Sequence, residues 1–328
     1  LFFCLGRETL GNSIFLSNAG FRGKHGRTLV IKKTIAVVSF FIVVTAIYFP
    51  TIRALITLSY GNDVHEYLLL IPFISGYFFY RKWQFISRNQ TFSIPAGSIF
   101  ILAGSIVWIF QMTVLGPEGA FCLSLKIFSM VLVLIGGAVC FFGTQLFKNA
   151  LFPVLFLFLL VPIPDALVHG IVSFYQSGTA EVADCIFKLS GAAYFRDGLS
   201  FYLPTLSITI APECSGIHSS TALIITGMVA GQLFLRTIPG KAVLVLLTIP
   251  LMLIKNGIRV ATLSLLGTYV NRSFINGPLH HKGGIVFFLI AIALLFGGMF
   301  LIKGMENRWK GVTRHQDTGS STSLKNKF

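Results

Sequence analysis

The sequence predicts an all-α polytopic membrane protein of about eight transmembrane helices, with a short extracytoplasmic amphipathic helix and a β-hairpin just before a cysteine at 214. Three observations predict it. Of 328 residues, 54% are hydrophobic and only 11% charged, whereas a soluble globular domain carries roughly 25% charged residues. The mean hydropathy is +0.80, so too few polar side chains are present to cover a soluble surface of this size. The lysines and arginines cluster at the two ends and beside apolar runs, as those of cytoplasmic loops do. That distribution decides how the net charge of +15 is read. It marks orientation in a membrane, and no nucleic-acid partner is expected.

A spanning helix needs about 20 mostly apolar residues. Apolar runs fall near 34–50, 66–80, 95–114, 121–143, 150–163, 216–235, 241–262 and 283–302. Arg22, Lys24, Arg27, Lys32 and Lys33 precede the first run, which places its start inside. Arg81, Lys82 and Arg88 follow the second, and Lys148 precedes the fifth. Arg236 and Lys241 bracket the turn after the sixth, and Lys303, Arg308, Lys310 and Arg314 follow the last. With eight spans every cluster is cytoplasmic, and so are both termini. Residues 1–33 read as a basic cytoplasmic leader and 304–328 as a basic cytoplasmic tail, both expected to be disordered.

The same count puts 164–213 outside. Its first half sets Leu167, Ile171, Phe174, Val182, Cys185 and Ile186 near one helical face, with Glu181, Asp184 and Lys188 off it. This pattern predicts an amphipathic helix lying along the outer interface. In its second half, Asp197-Gly198 between β-rich runs predicts a hairpin.

Five cysteines, Cys4, Cys122, Cys140, Cys185 and Cys214, make an odd set without a CxxC spacing. Neither a disulfide framework nor a zinc site is expected, and no cofactor or metal is called for. Cys214 differs from the rest because it lies in "APECSGIHSS", at the mouth of the sixth span. Arg259 is 18 residues beyond Lys241, about 27 Å along a helix, which brings it to the outer boundary. His280 and His281 lie just before the eighth span turns inward. Topology alone thus gathers a thiol, a guanidinium and an imidazole at one depth.

A thiol is nucleophilic as thiolate, and a neighbouring cation or helix N-terminus favours that form. His280 could protonate a leaving amine, and Arg259 could hold an oxyanion. Alternatives exist for each role. His218 is a rival base one turn from Cys214, Glu213 could pair with Arg259 or orient a histidine, and Asn256 could hydrogen-bond within the bundle. Two other classes compete with acyl transfer to the thiol. A transporter would use Arg259, Glu213 and the histidines for an anionic solute; a membrane acyltransferase would load a lipid chain onto Cys214.

At these positions the sequence resembles the exosortase/archaeosortase family of membrane cysteine transpeptidases. "ECSGIHSS" is similar to the family's cysteine motif, "NGIRV" to its arginine motif and "HHKGGIVFFLIAIALL" to its histidine motif. Upstream, "HEYLLLIPFISGYFFYRKW", "LFPVLFLFLLVPIP" and "YFRDGLSFYLP" resemble further family segments. The resemblance implies a transmembrane domain over 34–303, with Cys214 as nucleophile, Arg259 as the oxyanion-side cation and His280 as general acid/base. His280 is preferred to His281 because the family's histidine is followed four residues later by glycine, here Gly284. Two positions depart from the pattern: Glu66 follows His65 where glycine is usual, and Ile285 follows Gly284 where tryptophan is frequent. The implied partners are membrane lipid and secreted proteins carrying a C-terminal sorting motif, a transmembrane helix and a basic tail. The implied location is the inner (plasma) membrane, with cleavage on its outer side.

Overall fold

The computed structural model describes residues 24–61, 65–88, 93–116, 119–212, 216–271 and 284–325. Helices dominate. In chain order they are α1 (Lys24–Ile47), α2 (Phe49–Gly61), α3 (Ile71–Arg88), α4 (Ile94–Phe110), α5 (Ala120–Phe142), α6 (Gln145–Phe156) and α7 (Asp165–Ser190). Three strands follow, β1 (Phe195–Asp197), β2 (Ser200–Leu203) and β3 (Leu206–Thr209), then α8 (Ile217–Phe234), α9 (Ile238–Tyr269) and α10 (Gly284–Lys325).

Among the described residues, four helical stretches are long and apolar enough to cross a membrane: Ile94–Val114, Phe121–Phe142, Ile238–Tyr269 and Gly284–Arg308. The number rises to six if two bent pairs, α1 with α2 and α6 with α7, each count as one span. The eight apolar runs all carry helix, but not all as full spans. α3 holds Arg81, Lys82 and Arg88 within its 18 residues. α6 is broken by non-helical Ala150 and contains Pro153, and Ser219–Phe234 of α8 is a shorter apolar helix. At the ends, helix begins at Lys24, inside the leader, and continues to Lys325 through most of the tail. Extending an existing helix adds one hydrogen bond per residue without a new nucleation step.

The chain divides into two compact units, Leu1–Ala54 with Ser75–Glu118 and Leu125–Leu160, and Leu55–Ile74 with Gly119–Ser124 and Val161–Phe328. In the first, α4 and α5 approach closely through small residues. A methyl group on Gly104 would stand 2.9 Å from the Ser129 carbonyl, and Ser129 Oγ donates to the Gly104 carbonyl at 2.8 Å. Close backbone approach of this kind is how helices pack where lipid removes the hydrophobic drive between them.

The second unit carries the residues of interest. Its helical core joins Tyr175 of α7, Leu223 and Ala230 of α8, Leu244 and Met252 of α9, and Ala291, Leu295 and Met299 of α10. A second core lies between α7, the sheet and α9, built from Ala180, Ala183, Phe187, Phe201, Leu203, Ile210 and Ala261. The sheet is antiparallel in the order β1-β2-β3, with Asp197 opposite Ser200 and Phe201 opposite Ile208.

α7 is 26 residues long and meets the rest of its unit along one stripe. Tyr175, Thr179, Ala180, Ala183, Asp184 and Phe187 are buried, while Leu167, Phe174 and Cys185 are exposed. The middle of this stripe is small because α9 comes close: a methyl group on Gly178 would reach Leu253, and one on Gly257 would reach Val182 and Ala183. Asp184 can be buried because it is paired, with Lys188 Nζ at 2.6 Å and Tyr194 OH at 2.8 Å. Arg196 of β1 pairs with Glu181 at 2.7 Å, so these charges fasten the sheet to α7.

At the opposite end of α9, Glu306 of α10 accepts from the backbone of Thr237 at 3.0 Å and of Arg236 at 3.2 Å, and from the Thr237 hydroxyl. One carboxylate thereby fixes the turn between α8 and α9. Glu306→Ala is expected to lower the stability of the purified protein by about 1–3 kcal/mol, the cost of leaving such donors without their acceptor. A thermal shift in detergent measures it.

Candidate active site

Glu213, Cys214, His280 and His281 lie outside the described residues; the chain on either side of them is described. On the approach, Ile210 is 1% exposed. Its N–H donates to the Leu199 carbonyl at 3.0 Å, and its carbonyl accepts from Gln176 Nε2 of α7 at 2.7 Å. Beyond the cysteine, Gly216 caps α8 with φ 76°, a conformation that disfavours any side chain with a Cβ. The Gly216 carbonyl accepts from Ser220 N at 2.9 Å, Ser220 Oγ at 2.7 Å and Ser219 Oγ at 3.0 Å. Both flanks of the cysteine segment are therefore held.

One face of α9 meets this cap. Asn256, 1% exposed, donates from Nδ2 to Thr179 Oγ1 of α7 at 3.1 Å. It also packs against Gly216, where a methyl group would stand 3.0 Å from its Cγ and Oδ1. Lys255, 8% exposed, donates from Nζ to Ser219 Oγ. Arg259 is half-buried and shares that face, three residues beyond Asn256 and four beyond Lys255.

The packing registers extend the picture. Gly227 against Thr248, Ser219 against Lys255 and Gly216 against Asn256 set α8 antiparallel on α9. Gly240 against Ile302 and Leu247 against Gly298 set α10 antiparallel on the same helix. Continued along α9, both registers bring Arg259 level with the start of α8 and with Gly284 at the start of α10. Helix α9 has 32 residues, about 48 Å at 1.5 Å per residue, so it continues well past Arg259.

Of the residues singled out in the sequence, Asn256, Arg259 and the cap following Cys214 come together on α9. Gly284 opens α10, and His218 lies in the first turn of α8. His65 is buried at the start of the short turn before α3. Burial holds its imidazole below the usual range, partly opposed by Asp165 and the Ile163 backbone. Among the described residues, Cys122, Cys140 and Cys185 are free thiols, and no group of His, Cys, Asp and Glu is placed to hold a metal. Lys255 was not anticipated, although a lysine inside an apolar run is itself a signal of function.

A family description, transmembrane exosortase, matches residues 57–297, a span that includes both Gly216 and the Lys255–Arg259 face. The chain belongs to the exosortase family. No curated protein and no solved structure matches it. As a family, exosortases are membrane proteins with a transpeptidase or protease role of the cysteine-peptidase type.

Proposed function

We propose that this exosortase is a multi-pass cysteine protease/transpeptidase of the plasma membrane, with both termini cytoplasmic, that removes the C-terminal sorting signal of secreted proteins at the outer face. The observation that supports it best is the level shared by Arg259, the start of α8 and the start of α10. A cation on that level suits a reaction in which a carbonyl oxygen becomes negative.

In this reading the Cys214 thiolate attacks the carbonyl carbon of the scissile peptide, and Arg259 holds the resulting oxyanion. The C–N bond then breaks as His280 gives a proton to the leaving amine, and a thioester remains on Cys214. An acceptor nucleophile, or water, loses a proton to His280 and attacks the thioester, which releases the thiol and the transferred product. The substrate's own membrane helix, with its basic end inside, would carry the cleavage motif to this depth.

Mass spectrometry of the enzyme isolated with a tagged sorting-signal substrate should detect a peptide joined to Cys214 and released by hydroxylamine. A fatty acyl group at Cys214 would instead identify an acyltransferase. Substrate-tail removal that persists in Cys214→Ser would end the proposal.

A further inference from the structure

Lys255 has no part in the mechanism just described, yet it is 8% exposed on a helix apolar enough to span a membrane. Among the described residues no carboxylate is paired with it, and another cation, Arg259, lies one turn further along the same helix. A buried ammonium next to a guanidinium is costly, and hydrophobic packing would not retain it. Among the described residues its ammonium donates to Ser219 Oγ. That hydroxyl in turn donates a hydrogen bond to the Gly216 carbonyl at 3.0 Å. Lys255 therefore reaches, through one side chain, the peptide unit that ends the cysteine segment. Its neighbour Asn256 contacts the other side of the same glycine. Two consecutive residues of α9 thus grip Gly216, one by a hydrogen-bond relay and one by contact.

We propose that Lys255 is a positioning residue of the cysteine site, acting through Ser219 to fix the Gly216 carbonyl, two residues along the chain from Cys214. The inference deepens the function proposed above and rests on it for the role of Cys214. The relay itself concerns the thiol's reactivity and needs no knowledge of the substrate. An ammonium is better suited to the relay than a neutral donor, because it leaves the Ser219 hydroxyl only its acceptor side and so directs the hydroxyl proton to Gly216. It also keeps positive potential on the face where thiolate and oxyanion charge develops.

The test uses the purified full-length protein and iodoacetamide, with alkylation of the Cys214 peptide followed by mass spectrometry at neutral pH. Lys255→Met and Ser219→Ala should each slow alkylation about tenfold, as expected for loss of one charge-assisted hydrogen bond. The double variant should be no slower than the slower single variant, and Ser219→Thr, which keeps the hydroxyl, should stay within about twofold of wild type. Rates that multiply in the double variant, or a Ser219→Ala rate equal to wild type, would overturn the relay. If Lys255→Met does not fold, the Ser219→Ala and Ser219→Thr pair carries the test. Persistent substrate processing in Cys214→Ala would sink the proposed function and leave the alkylation result standing, so the two failures are separable.

Discussion

Arg259→Ala is expected to reduce sorting-signal removal by about 10²–10³-fold, the size typical of losing one donor to a developing oxyanion. The expectation follows from placement on α9. Arg259 shares a face with Lys255 and Asn256, both engaged with the first turn of α8, and the α10 register brings it level with Gly284. Arg259→Lys retains the charge but not the planar fork, so it should recover only part of the rate, remaining about tenfold or more below wild type. An arginine that merely carries its charge to the interface would behave differently. Lysine would then replace it without loss, because both side chains can extend to water. The measurement is the initial rate of substrate-tail removal in membranes, normalised to folded enzyme. A rate for Arg259→Ala within a few-fold of wild type would remove Arg259 from the reaction.

How much of this could be read without the structure depends on range. Helical periodicity is local, so the spacing of Asn256 and Arg259 already implied a shared face. The family motifs around Cys214 and Arg259 lie within the matched span. The Lys255–Ser219 bond joins residues 36 apart in the chain, and only the antiparallel docking of α8 on α9 reveals it. The buried face of α7 was hidden for a related reason. Hydrophobicity marked Leu167, Phe174 and Cys185, which stay on the protein surface, while close approach of α9 selects small residues at 179, 180 and 183 between the larger Tyr175 and Phe187. Asp184 was placed off the apolar face, and its burial there rests on Tyr194 and Lys188, partners that the helical pattern alone does not identify. Composition likewise marked eight apolar runs, yet continuity of a helix depends on local backbone. The break at Ala150, together with Pro153, and the bend between α1 and α2 could not be read from hydropathy.

Gly216→Ala should disable the site by a different route. Two constraints act on the same methyl group. At φ 76° an L-residue with a Cβ pays roughly 1–2 kcal/mol in backbone strain. The methyl would also stand 3.0 Å from Asn256 Cγ and Oδ1, tight enough that one of them must move. Asn256 has little room to yield, since it is 1% exposed and donates to Thr179. The strain therefore falls on the cap itself, two residues along the chain from Cys214. Substrate processing should fall at least about tenfold, as a misplacement of about 1 Å can cost 10²-fold, and thermal stability should fall by about 1–3 kcal/mol. A second substitution separates the two constraints. Asn256→Ala removes the obstructing amide, so Gly216→Ala should cost less stability in that background than alone, a coupling of about 0.5–3 kcal/mol. The φ term remains in both backgrounds, because no neighbour can relieve it. Strict additivity of the two substitutions would mean that Asn256 does not press on Gly216. Unchanged processing in Gly216→Ala would mean that the cap does not set the position of the thiol.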